Sequence, residues 1–321
     1  MNRMKLAFVC ATAVLTAPAA ADTYPAKPVR IVVTAPPGAT SDMLARVMAE
    51  QLGKALKVAF VVENRPGAGG NIAGDHVAKS TPDGYTLLLA SVSSHAINPS
   101  LYTKMPYDPV KDFAPIIVLA SNPNALVVSP ASGIKSVADL VKTARAKPGE
   151  LSFSSGGNGT SQHLAGELFK SMTGVQLMHV PYKGSSEALT AVMRNETTLM
   201  FPNIPNALAL AKNGNVNLLA VTTLNRLSWL PDVPTLNESG LPGFEAVAWF
   251  GLVAPAGTPR AVVDTINAES ARVLARPDVQ QQLIGQGFDI MGGSPETFQA
   301  FLKAEIEKWR VVVKQSGATV N

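Results

Sequence analysis

Twice this chain runs strand, loop, helix, strand, loop, helix, strand, and that repeat limits its fold more than any other feature. In the first half, short apolar runs at 29–34, 58–62 and 86–90 are separated by segments with helical spacing. In the second half, runs at 151–154, 176–180 and 198–201 follow the same order. The first of them, 29–34, alternates little between apolar and polar residues, as a strand buried on both faces does. Strands alternating with helices build α/β sheets with crossover connections. The predicted fold class is therefore α/β, with two lobes, each a mostly parallel sheet flanked by helices.

The first strand of each half leads into a similar corner. After 29–34 comes Ala35-Pro36-Pro37-Gly38-Ala39-Thr40-Ser41-Asp42, then a helix with Met43, Leu44, Val47, Met48 and Leu52 on its apolar side. After 151–154 comes Ser155-Gly156-Gly157-Asn158-Gly159-Thr160-Ser161-Gln162-His163, then a helix through Leu164, Leu168 and Met172. The first turn of a helix leaves backbone N–H groups without intrahelical partners. Those donors and the positive end of the helix dipole attract an anion. Ligands of open α/β sheets bind at the carboxyl ends of the strands. Two facing lobes would bring both corners into one cleft. Ser41 or Asp42 is the expected N-cap of the first helix. His163, in a first helical turn, is expected to be neutral, and either braces its loop or contacts the ligand.

A third loop, Gly67-Ala68-Gly69-Gly70-Asn71, has the wrong spacing for a dinucleotide fingerprint. The strand after it carries no acid to hold a ribose. It reads as a close-packed turn before a helix. The segment 116–128, broken at Asn122-Pro123-Asn124, is a candidate crossing between lobes, and 247–253 a candidate return. Helices are expected at Arg260–Leu274 and 295–313, each opened by a proline, Pro259 or Pro295. Two extended connections permit hinge closure around a ligand.

Composition narrows the function. Arg3 and Lys5, an apolar run at 6–15 and Ala19-Ala20-Ala21 predict a cleavable signal peptide at 1–21, and so a periplasmic protein. The lone cysteine, Cys10, lies inside it, so the mature chain is expected to need no disulfide and to offer no thiolate. Without Arg3 and Lys5, 25 basic residues face 23 acidic ones, scattered rather than striped, which argues against a nucleic-acid surface. The four histidines, His76, His95, His163 and His179, form no short metal-binding pair, and no metal or cofactor is expected. Ser91, Ser94 and His95 invite a serine-hydrolase reading. A triad needs a third group to hold its base, and the sequence nominates no acid for that place. Trp249 and Phe250 suit core packing by default and a cleft wall as second choice.

Many small motifs in order resemble one family. Pro36-Pro37-Gly38 with Asp42, Glu63-Asn64-Arg65-Pro66-Gly67-Ala68-Gly69-Gly70 and Tyr107-Asp108-Pro109-Val110-Lys111-Asp112-Phe113 are three. Gly157-Asn158-Gly159-Thr160 with His163, His179-Val180-Pro181-Tyr182-Lys183-Gly184 and Leu230-Pro231-Asp232-Val233-Pro234-Thr235 are three more. Together with 249–251, 255–259 and Lys308-Trp309, they look like the solute-binding proteins of tripartite tricarboxylate transporters, the Bug receptors. The resemblance runs from about Tyr24 to the C-terminus.

It implies a Venus-flytrap receptor rather than an enzyme, with lobe I at 22–122 and 252–321 and lobe II at 123–251. It implies an organic carboxylate ligand (a di-, tri- or aromatic acid), a membrane permease as partner, and a monomer. The implied ligand residues are Ala35, Pro37, Gly38, Ala39, Thr40, Ser41 and Asp42 in the first loop. In the second they are Ser155, Gly156, Gly157, Asn158, Gly159, Thr160, Ser161 and His163. Ser91, Ser94, His95, Lys183, Gly184, Asn203 and Trp249 are expected to line the cleft. Three positions depart from the family pattern: Ala35 replaces an aromatic residue, Ala39 a glycine and Asn203 an acid. Ala35 removes bulk and predicts room for a larger acid. Ala39 limits positive φ. A receptor that signals to a membrane sensor instead of a permease fits the same residues.

Overall fold

The computed structural model describes residues 24–316, and the signal peptide expected at 1–21 lies outside them. The first half reads β1 (Val29–Val33), α1 (Thr40–Leu56), β2 (Phe60–Asn64), α2 (Asn71–Ala78) and β3 (Thr86–Ser91). A wide π-type turn at Ser93–Ile97 and the short α3 (Asn98–Leu101) lead to β4 (Phe113–Pro123). Then come β5 (Ala125–Val128), α4 (Val137–Ala146), β6 (Ser152–Ser155), α5 (Ser161–Thr173) and β7 (Met178–Pro181). The second repeat closes with α6 (Ser185–Met193) and β8 (Leu199–Met200), followed by α7 (Ile204–Lys212) and β9 (Asn217–Val221). The last part is β10 (Val247–Pro255), α8 (Arg260–Leu274), α9 (Pro277–Gly285), β11 (Asp289–Gly292) and α10 (Pro295–Ser316).

Two sheets result, ordered β11-β4-β10-β3-β1-β2 and β7-β6-β8-β5-β9. The two-lobed α/β class holds, and the two repeats are built alike. In each, the first strand is central, the second lies parallel on one side and the third parallel on the other. Right-handed crossovers then put successive helices on opposite faces of the sheet. The sheets are mixed rather than mostly parallel. β10 runs antiparallel to β3 and β4, and β5 antiparallel to β8 and β9. The reason is connectivity: β4 and β10 pass directly to and from the other lobe, without a helical crossover to reverse them.

That passage is short. β4 stays in its sheet through Pro123 and β5 starts at Ala125, so only Asn124 crosses, where a longer segment was expected. Its N–H donates to Thr222 Oγ1 (3.0 Å), while its carbonyl accepts from that hydroxyl and from the Thr222 N–H (2.9 Å each). The Ala246 N–H donates to the Thr222 carbonyl (3.0 Å). The return therefore precedes β10, which is paired in the six-stranded sheet from Val247 onward.

β10 also corrects the reading of Trp249. The indole is fully buried, edge-on to Phe298 and Phe301. Its Nε1–H donates to Glu305 Oε2 (2.8 Å), and the same oxygen accepts from Trp309 Nε1 (3.0 Å). Lys308 pairs with the other Glu305 oxygen (2.6 Å) and reaches Glu245 just before the return (3.2 Å). Trp249 thus anchors α10 to the root of the hinge and does not line a cleft. On α1, Leu44, Met48 and Leu52 are buried as their spacing predicts, but Met43 is on the exposed side. Replacing Glu305 with Ala strands two buried indole donors, at about 1–3 kcal/mol each. Urea denaturation should show the midpoint fall with the slope unchanged.

Candidate functional site

β1 and β6 are the strands whose neighbours on either side are reached by helices on opposite faces. The crevice at the carboxyl end of such a strand is where open α/β sheets bind ligands. The two loops picked out in the sequence leave β1 and β6 at these points. They belong to one region of the molecule. A β-carbon on Gly159, in the second loop, would lie 2.7 Å from the Leu101 side chain and 3.7 Å from Asn98 Oδ1. Leu101 and Asn98 belong to α3, at the carboxyl edge of the six-stranded sheet. Only a glycine lets the loop sit there. Asn98 in turn donates to the Gly69 carbonyl (3.1 Å) and to Asn71 Oδ1 (2.7 Å). Gly70 lies close against Thr34, after β1, and Ser94, after β3. The 67–71 turn is therefore the close-packed spacer it was expected to be. Behind this junction α10 packs on α5.

In the first loop the helix cap is not the one expected. Ala39 is the N-cap, with φ −71° and ψ 160°, so the alanine costs no strain. Asp42 is the third helical residue, and its carboxylate reaches back. Oδ2 accepts from the Gly38 N–H (2.8 Å) and from Arg46 Nε (2.9 Å), and Oδ1 accepts from Asn64 Nδ2 (2.9 Å). Burial pushes this carboxyl upward, but the hydrogen bonds from Arg46, Gly38 and Asn64 outweigh it and hold it below the ordinary range. The Ala39 N–H bonds the Pro36 carbonyl (3.2 Å). The glycine amide is thus committed inside the loop. The donors that helix geometry leaves free are those of Thr40, Ser41 and Asp42.

The second loop is committed in the same manner. The Gly156 N–H donates to Gln162 Oε1 (2.8 Å), Gly157 to Ser155 Oγ (3.2 Å) and Gly159 to His163 Nδ1 (3.2 Å). Thr160 is the N-cap of α5, accepting from the His163 N–H (3.3 Å). Helix geometry leaves the amides of Ser161 and Gln162 at the mouth, beside the exposed Asn158. His163 is buried and stacks on His179 with ring centroids 4.0 Å apart. His179 Nε2 meets Ser155 Oγ (2.7 Å) and its ring lies over Phe153. His163 therefore braces the loop. Burial, then His179 and Lys170, bring its imidazole down to about 3. Burial, then Lys170, bring His179 down to about 4.

The remaining expected residues divide. Ser94 and His95 are fully buried beneath the junction, and Ser91 nearly so. Ser94 Oγ is 3.0 Å from His95 Nδ1, but His95 Nε2 has no partner, and burial alone brings this imidazole down to about 3. No acid holds it as a triad would require. Gly184 is the N-cap of α6, whose first residue Ser185 accepts from Gln162 Nε2, so two helix starts meet at the second loop. Lys183 is exposed beside it. Asn203 caps α7, and its Nδ2 donates to Asn124 Oδ1 at the crossing (3.1 Å). Two grooves, of about 660 and 440 Å³, lie elsewhere, around Arg30 and Tyr85 and around Val141 and Met172. Sequence reading gave no separate role to Asn64, Gln162, His179 or Ser185, although Asn64 and His179 stand in motifs that carry the family resemblance and Gln162 in the second loop. Asn64 and His179 are each on the strand following their loop's helix.

Fold and site together define a two-lobed α/β solute-binding protein. Residues 44–318 match the family model described as "Tripartite tricarboxylate transporter family receptor", and the chain belongs to that family. Among solved structures, it is similar to Rpa4515 of R. palustris with adipate (40% identity, TM-score 0.85, 92% of this chain and 98% of that one). The periplasmic binding protein BugD is 33% identical (TM-score 0.82, 92% and 99%). MatC from Rhodopseudomonas palustris with bound malate is 31% identical (TM-score 0.81, 90% and 100%). Among the described residues no helix is long and apolar enough to cross a membrane.

The stacked histidines make acid stability testable. Both bind protons less readily folded than at the ordinary value of 6.5, so the unfolded chain takes up more protons as pH falls. Their contribution is complete above 6.5 and is lost as pH falls from there through about 4 and 3. Urea midpoints across that window should drop in the parent chain and drop less steeply in His179→Gln.

Proposed function

We propose that this chain is a periplasmic receptor that closes its lobes on an organic carboxylate and delivers it to a membrane permease. The observation that supports this best is the seating of the second loop on the carboxyl edge of the first lobe, at Gly159 against Asn98 and Leu101. One carboxylate would accept hydrogen bonds from the first-turn amides of α1 and α5, directly or through water. Hydrogen bonds involving a charged group contribute about 1.5–3 kcal/mol each. A few therefore reach micromolar affinity, roughly −8 kcal/mol. Adipate on Rpa4515 and malate on MatC agree with this ligand class. Periplasmic location agrees with the description of BugD and with the N-terminal sequence. The receptor acts as a monomer, with lobe boundaries at Asn124 and between Thr222 and Ala246, rather than at 122 and 251.

Calorimetry on the purified mature protein tests the ligand. Adipate, malate, citrate and benzoate span the class, and at least one should bind with micromolar affinity. Binding of a neutral solute, with every acid silent, would sink the carboxylate reading. Ala35 gives a second test, because its small side chain leaves room near the first loop. Ala35→Phe should weaken a bulky or aromatic acid about tenfold, the cost of overpacking, and spare small dicarboxylates. Equal affinities in both proteins count against a role for Ala35 in selection.

A further inference from the structure

Besides the hydrogen bonds within each loop, each ligand loop is tied to one side chain from a neighbouring strand. In the first lobe that residue is Asn64, the last of β2, level with Val33 on β1. Its Nδ2 donates to the Ala35 carbonyl (3.0 Å) at the start of the loop and to Asp42 Oδ1 (2.9 Å) at its end. Both amide hydrogens are used. Asp42 passes the constraint on to the Gly38 N–H, and Arg46 closes the ring to Asn64 Oδ1 (3.4 Å). In the second lobe the residue is His179 on β7, level with Phe153 on β6. It meets Ser155 Oγ at the start of the loop (2.7 Å) and stacks on His163, which holds the Gly159 N–H near its end. β2 and β7 occupy the same place in the two repeats. Neither brace recurs at a fixed sequence offset from its loop.

We propose that Asn64 and His179 are positioning residues for ligand binding: each fixes the backbone of one loop before ligand arrives, and acts through that loop rather than on the ligand. The proposal rests on the carboxylate-receptor reading. Its physical basis is preorganisation. A loop already held in its binding shape does not lose that freedom on binding, and its first-turn amides point where they are needed. A loop released from its brace must be ordered by the ligand, and affinity falls by that amount.

Hydrogen–deuterium exchange of the ligand-free protein tests the bracing separately from the ligand. Asn64→Ala should speed exchange in peptides covering 35–44 and leave 155–164 unchanged, and His179→Ala should do the reverse. In calorimetry with adipate, each variant should lose about tenfold in affinity, the worth of one or two hydrogen bonds. His179→Gln, whose side-chain amide still meets Ser155 Oγ, should recover most of the loss. Asn64→Asp keeps the shape but loses the donor and faces Asp42, so it should recover none. Should His179→Ala not fold, His179→Phe keeps the stack and removes only the bond to Ser155, and carries the same expectation. Unchanged exchange in the braced loop overturns the proposal, as does faster exchange with unchanged adipate affinity. If the parent protein binds no carboxylate, the receptor reading fails, and the exchange comparison still decides whether the two side chains hold the loops.

Discussion

Asn124 and Thr222 pin the chain where it crosses from one sheet to the other. Both are fully buried, and three hydrogen bonds join them where the chain passes between its two sheets. A backbone that leaves one sheet and enters another has lost its ladder partners, and its N–H and C=O groups need others. Here the outgoing and returning segments satisfy each other. The junction is consequently short, and beside it Gly159 of the second lobe meets α3 at the carboxyl edge of the first. From the outside, α10 secures the same place through Glu305, whose single oxygen accepts from Trp249 on β10 and Trp309 on α10.

Once the edges meet, the site is a matter of which amides stay free. Six loop N–H groups of glycine, alanine or threonine are bonded within their own loops, to Asp42, Pro36, Gln162, Ser155, His163 and Gly157. The glycines shape the loops and permit close approach, most plainly where Gly159 meets Leu101. On the proposed carboxylate-receptor reading, binding would fall to the first-turn donors of α1 and α5, reinforced by the helix dipoles. A neutral His163 suits this arrangement. An imidazolium at a helix start would oppose the dipole and could not accept from the Gly159 N–H.

Much of this was readable beforehand. The repeated order of strands and helices, the two first-strand loops and the proline starts of α8 and α10 follow from local rules and are found as expected. Local rules failed where a residue's partner is distant in sequence. Ser41 or Asp42 was expected to cap the first helix, but the cap is Ala39, and the Asp42 oxygens go to Gly38, Arg46 and, from another strand, Asn64. Trp249 was expected near the cleft as second choice, but Glu305 claims it from 56 residues away. The antiparallel β10 was read as a connector, because nothing in an apolar run says which strand it will lie beside.

Periodicity and turn chemistry, properties of a few neighbouring residues, suffice for the α/β class, the two lobes and the location of both loops. Sequence motifs in order suffice for the family. The mixed pairing of the sheets, the single-residue crossing at Asn124, the bracing by Asn64 and His179 and the sorting of amides into used and free were settled by packing. Each depends on hydrogen bonds between segments brought together only when apolar faces are buried, and such bonds leave no periodic trace in the chain.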